Sequence, residues 1–206
     1  MTPYEMKPLS CNPSRLKGLS EKLIVSHYEN NYGGAVKRLN AICEQLAALD
    51  PARAPVFVLN GFKREQLIAM NSMILHELYF DGLGAGGDAG AALSDAIERD
   101  FGSYEHWRGE FVATGKALGG GSGWVLLTYS HRDGQLVNQW AADHTHSMAG
   151  ATRILVLDMY EHSYHMDYGA KAAAYVDAFM ENINWTNAAS IYRRCAGKPS
   201  PPSVTA

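Results

Sequence analysis

RILVLDMYEHSYHMDYG, residues 153–169, carries the most information per residue in the chain. It opens with an apolar run of strand length, so the first expectation is a strand that ends near Asp158. A carboxylate placed directly after a buried strand is costly unless it has a partner. His162 follows four residues later, one turn on if the chain turns helical there. A carboxylate and an imidazole at that spacing can converge on one metal ion. A salt bridge from Asp158 to Arg153 or Lys171 satisfies the same carboxylate without any metal, and spacing alone does not choose between the two.

Working outward from this stretch, GWVLLTYS (123–130) and QLVNQWAA (135–142) flank a turn containing Asp133-Gly134 and predict a hairpin. With the run ending at Asp158 they make a small three-stranded antiparallel sheet. Helical patterns lie on both sides of it, at about 92–100 and 103–117 before it and about 170–182 and 187–195 after it. Residues 82–91, GLGAGGDAGA, read as a glycine-rich linker. N-terminal to the linker, Ser20 predicts a helix N-cap, with Glu21 in the first turn, where its charge suits the helix dipole. The helix runs to Tyr32, and Gly33-Gly34 is expected to interrupt or kink it. Leu39, Ile42, Cys43, Leu46 and Leu49 form the apolar stripe of the next helix. Asp50-Pro51 ends that helix, and PVFVLNGF (55–62) reads as an apolar link into a third. The expected fold class is α+β, a helical hairpin followed by a mixed domain whose sheet is surrounded by helices. The expected domains are residues 1–88 and 89–196, with 197–206 a disordered tail.

Composition bounds the function. The 206 residues are 47% apolar and 19% charged, ordinary globular values. No window approaches the roughly 18 consecutive apolar residues of a membrane span. A net charge of −3 offers no basic excess for nucleic acid. Cys11, Cys43 and Cys195 are odd in number and widely spread, which is no disulfide framework. With no basic, apolar leader at the start, the expectation is a cytoplasmic protein.

Two more histidines stand out. His27 sits mid-helix with Leu23 and Asn31 one turn to either side, and His76 sits in SMILHELYF among Leu75, Leu78 and Phe80. A buried imidazole needs partners for its ring nitrogens. Each of these, taken alone, is accounted for as a hydrogen-bonded core histidine.

Together, HYENNYGGAVKRLN (27–40), NSMILHELYFDGL (71–83), AIERDFGS (96–103), GSGW (121–124), DMYEHSYHMDY (158–168) and NINW (182–185) resemble the iron/manganese superoxide dismutase family. The resemblance runs from about residue 19 to 195 and is that of a divergent member. It implies one iron or manganese ion per subunit, held by His27, His76, Asp158 and His162, and conversion of superoxide to dioxygen and hydrogen peroxide. Donors of nitrogen and oxygen without thiolate suit either metal. By the same resemblance His144 tunes the metal-bound solvent, with Ser72 in the alternative helical position and His146 two residues off in register. Trp124 and Tyr160 wall the pocket. Glu161 bonds across a homodimer interface to the partner's His162.

The chain departs from the family at the channel mouth. Asn31 stands where the family has a histidine, Ala35 where it has a channel tyrosine, His165 where it has an interfacial aromatic and Tyr160 where it has a tryptophan. Tyr28, Tyr32, Tyr160 and His165 are the candidates to replace the missing tyrosine in proton delivery. These departures keep two alternatives open, a metal-binding relative with little dismutase activity and a peroxide-using redox enzyme on the same scaffold.

Overall fold

A computed structural model describes residues 2–84 and 86–197. The N-terminal half is built on two long antiparallel helical segments. Ser20 caps the first, its side chain accepting from the Leu23 N–H. Helix α1 (Glu21–Ser26) passes into a π-helical segment (His27–Tyr32) and on into α2 (Gly33–Ala48) without a break. Gly33-Gly34 therefore does not interrupt the helix as expected. Gly33 is right-handed helical, and the irregularity lies one turn earlier. A π turn shifts the following residues around the axis. As a result Tyr32, not Asn31, shares the fully buried face of His27.

Helix α3 (Val56–Asp81) starts earlier than the sequence pattern suggested. PVFVLNGF forms its first turns, with Pro55 fixing the entry. Val56 and Phe57 are left exposed at the tip of the hairpin. That tip has no core beneath it, so an apolar pattern there does not mark burial.

Beyond the glycine-rich connection come α4 (Gly90–Phe101) and α5 (Tyr104–Ala117), separated by Gly102 at positive φ and capped by Ser103. The sheet follows, with β1 (Trp124–Ser130), β2 (Gln135–Ala141) and β3 (Ala151–Asp158) in the antiparallel order β2-β1-β3. Every residue of β1 is buried, as expected for a central strand covered on both faces. A short 3-10 turn (Glu161–Ser163), α6 (His165–Tyr168), α7 (Ala172–Glu181) and α8 (Trp185–Ala196) complete the chain. The expected tail, apart from Gly197, lies outside the described residues.

The halves are tied by backbone and side chain. Leu83 bridges to Ile183, and Asn182, fully buried, accepts from the Lys17 N–H and donates to the Lys17 carbonyl. No helix among the described residues is long and apolar enough to cross a membrane.

Candidate metal centre

The sheet register sets the first donor. Trp124 and Asp158 are directly opposed on β1 and β3, so their side chains leave the same face. That face meets α3, where the His76 ring packs edge-on against Trp124 at 5.3 Å. The π-helical segment brings His27 to the same point, and the 3-10 turn after β3 swings His162 back over it. The result is a cluster of His27, His76, Asp158 and His162 whose donor atoms lie within 4.8 Å of one another. Among the described residues no other group of histidine, cysteine and acidic side chains converges in this way.

One oxygen is the focus. Asp158 Oδ2 lies 3.2 Å from His27 Nε2, 3.2 Å from His162 Nε2 and 3.7 Å from His76 Nε2. Asp158 Oδ1 accepts from the Tyr160 N–H at 2.8 Å, and its carbonyl accepts from the Tyr175 hydroxyl at 2.8 Å. Neither Arg153 nor Lys171 pairs with it; Arg153 bonds Ser147 instead. Burial would raise the Asp158 pKa, but the closeness of the His162 and His27 rings outweighs it and holds the carboxylate ionised.

The imidazoles complete the fit. His76 Nδ1 donates to the Ser72 carbonyl at 2.7 Å, which leaves the Nε2 lone pair facing Asp158. Both ring nitrogens of His27 and Nε2 of His76 are buried without a hydrogen-bond partner in the protein. Burial lowers the pKa of both, that of His76 to about 3 with His27 adding to the effect, so both are neutral ligands near pH 7. Orphaned neutral nitrogens aimed at one ionised oxygen are costly as a closed structure. They suit a cation, because donors bonded at about 2.0–2.2 Å to one ion sit roughly 3–4 Å apart. Three imidazoles and one carboxylate, without thiolate, fit iron or manganese.

Around the cluster, Trp124 Nε1 donates to His144 Nδ1 at 3.1 Å. This bond fixes the His144 tautomer, leaving the proton of the neutral ring on Nε2. The His144 ring stacks on Tyr160 at 4.8 Å, and Tyr160 stacks on His162 at 5.4 Å. Asn71 Nδ2 donates to the His144 carbonyl, which holds the loop in place. His146 points elsewhere, stacked on exposed Trp140. Ser72 Oγ lies 3.4 Å from His76 Nδ1, beside the site.

Asn31, Ala35, Ser72 and His144 border a cavity of about 300 Å3. Tyr28 and Tyr32 face away from it. The Tyr28 hydroxyl donates to the Lys7 carbonyl, and the Tyr32 hydroxyl accepts from the Lys7 N–H and donates to Glu77. Glu161 and His165 are exposed, off the cluster.

The strand, the turn and the spacing of 158 and 162 were readable as sequence. The Ser72, Tyr175, Asn71 and Trp124 bonds were not. Only the Ser72–His76 spacing of four residues on one helix could have suggested its bond.

A metal-dependent helical hairpin joined to an α+β domain is the class that this fold and cluster define. The family model for iron/manganese superoxide dismutases, C-terminal domain, matches residues 89–191. The chain belongs to the iron/manganese superoxide dismutase family and is an oxidoreductase of that type. An iron superoxide dismutase of Cupriavidus metallidurans is 75% identical over 187 residues, 91% of this chain and 95% of that one. A manganese superoxide dismutase of Haloferax volcanii is 35% identical over 199 residues, 94% and 97% of the two chains. An iron superoxide dismutase of Aquifex pyrophilus is 34% identical over 181 residues, 84% of each. With a relative at 75% identity the chain is not especially divergent, which corrects the expectation of a divergent member.

Proposed function

We propose that the protein dismutates superoxide with iron, one ion per chain, bound by His27, His76, Asp158 and His162. The observation that carries this reading is the convergence of three imidazole nitrogens on one oxygen of Asp158, a side chain with no exposure at all. Iron is favoured over manganese by the 75% identical relative, which is an iron enzyme. The bound ion supplies a one-electron couple that takes an electron from one superoxide and gives it to a second, yielding dioxygen and hydrogen peroxide.

The remaining roles belong to the chain. His144, held by Trp124, presents its Nε2–H beside the metal donors and tunes the solvent or substrate that binds there. Trp124 and Tyr160 wall the site and exclude bulk water, while Asn31 borders the approach. Two carboxylates have different tasks. Asp158 is a ligand, and exposed Glu161 reaches the His162 of a second copy in a homodimer. The division at residues 88 and 89 gives two domains, which the family match beginning at residue 89 supports. A cytoplasmic location fits three cysteines, none in a disulfide among the described residues.

The ligand assignment is tested by elemental analysis of purified Asp158→Ala beside the parent. The expected result is a folded protein that has lost its iron and its activity together. Full iron content in the variant would overturn the assignment.

A further inference from the structure

Residues 4–10 supply no metal donor, and none of them lines the cavity beside the site. They are nevertheless tied to both helical segments that carry a donor in the N-terminal half. The Tyr4 N–H donates to Asn40 Oδ1 at 2.8 Å, and Asn40 Nδ2 donates back to the Tyr4 carbonyl at 2.9 Å. The Met6 thioether lies so close to Gly33 that a Cβ there would come within 3.0 Å of its sulfur. The Ser10 hydroxyl donates to the Phe80 carbonyl at 3.3 Å. Lys7, in the middle, is held at every polar group. Its N–H donates to the Tyr32 hydroxyl at 2.9 Å, its carbonyl accepts from the Tyr28 hydroxyl at 2.7 Å, and its ammonium pairs with Glu77. Tyr32 closes the ring by donating to the other Glu77 oxygen at 3.0 Å.

These partners adjoin the metal donors. Tyr28 and Tyr32 belong to the π-helical segment that begins at His27, and Glu77 follows His76. The Tyr32 ring stacks on that of His76 at 6.5 Å. A π turn is rare, and something must hold it against the α-helical register. Relaxed to a regular α-helix, the segment would set Asn31 one turn from His27 and carry Tyr32 around the axis, off the Lys7 N–H. Two tyrosine hydroxyls on one peptide unit therefore fit the π register. Glu77 gives a second reason. Its side chain is 12% exposed, so its charge needs a partner, and Lys7, itself 65% exposed, brings one in from solvent.

We propose that Lys7 is a positioning residue for the metal centre. By holding the π turn with its peptide group and α3 with its ammonium, it fixes the register in which His27 and His76 both face Asp158. The inference rests on the dismutase reading above, and amide exchange, which needs neither metal nor turnover, separates the two.

The test compares the full-length parent with Lys7→Met, Tyr28→Phe and the two changes combined. They remove an exposed ammonium and a surface hydroxyl and leave the buried core in place. Electron paramagnetic resonance of the ferric, iron-loaded protein reports the donor geometry. Amide hydrogen exchange, with and without iron, reports the π turn. In the double variant the ferric signal should change its rhombicity and turnover per iron should fall several-fold. Amides of the π-helical segment should exchange about 10-fold faster while those of the sheet keep their rates. Each single variant should show part of this change, and Lys7→Arg, which keeps the cation, should stay close to the parent. A parent-like ferric signal in the double variant, or exchange that quickens evenly along the whole chain, would overturn the proposal. An iron-loaded parent with no turnover would contradict the dismutase reading instead, and the exchange comparison would still decide the role of Lys7.

Discussion

His76 shows how one side chain is prepared for a metal before any metal arrives. Its Nδ1 proton is committed to the Ser72 carbonyl, and burial together with the neighbouring His27 lowers its pKa from an ordinary 6.5 to about 3. Between those values the unfolded chain binds a proton that the folded, metal-free protein refuses. The stability that depends on neutral His76 is thus present above about pH 6.5 and lost as pH falls toward 3. The thermal midpoint of the metal-free protein should fall across that window, and less steeply in His76→Leu; equal slopes would contradict it. Trp124 acts at the same scale through one bond. Trp124→Phe keeps an aromatic side chain but removes the Nε1–H that holds His144, so activity should drop about 10-fold with metal content unchanged. Of the four donors, Asp158 and His162 were legible from residue type and spacing, whereas His27 and His76 came only through the resemblance to the family. The Trp124–His144 bond was not legible, since its partners are 20 residues apart and meet only through the loop after β2.

Among the elements, the π-helical segment does most to assemble the site. A regular helix would set Asn31 one turn from His27; the π turn puts Tyr32 there and sends Asn31 to the cavity. Periodicity read at 3.6 residues per turn cannot show this, because the π turn is a local departure from that period. Strands were the opposite case. The expected hairpin and third strand correspond closely to β1, β2 and β3, whose apolar runs and Asp133-Gly134 turn are strong local signals. Gly123 marks where the central strand begins. It holds φ near 138°, and a Cβ there would come within 2.3 Å of the Ala141 carbonyl oxygen. Gly123→Ala must push β1 from β2 beside Trp124. It should cost at least about 2 kcal/mol in urea unfolding and reduce metal uptake; an unchanged midpoint and metal content would refute this account of the strand.

At the scale of the molecule, the metal cluster joins what the chain keeps apart. His27 and His76 come from the helical half, Asp158 and His162 from the mixed half, so one bound ion links both. The α+β class and the order of its parts were legible from element patterns, but the convergence needed the fold, because no local rule brings residue 27 to residue 162. Association belongs to this scale as well. Exposed Glu161 sits beside His162, and Met166 is about half exposed nearby. If the proposed homodimer forms through Glu161, Glu161→Ala should sediment as monomer and retain less metal, where the parent sediments as dimer; a parent that is monomeric, or a variant that is dimeric with full metal, would contradict the proposal. The most direct test of the whole account is superoxide dismutation per mole of bound metal, on protein loaded separately with iron and with manganese. The account predicts substantial turnover in the iron form. Full iron occupancy with no turnover in either form would contradict it.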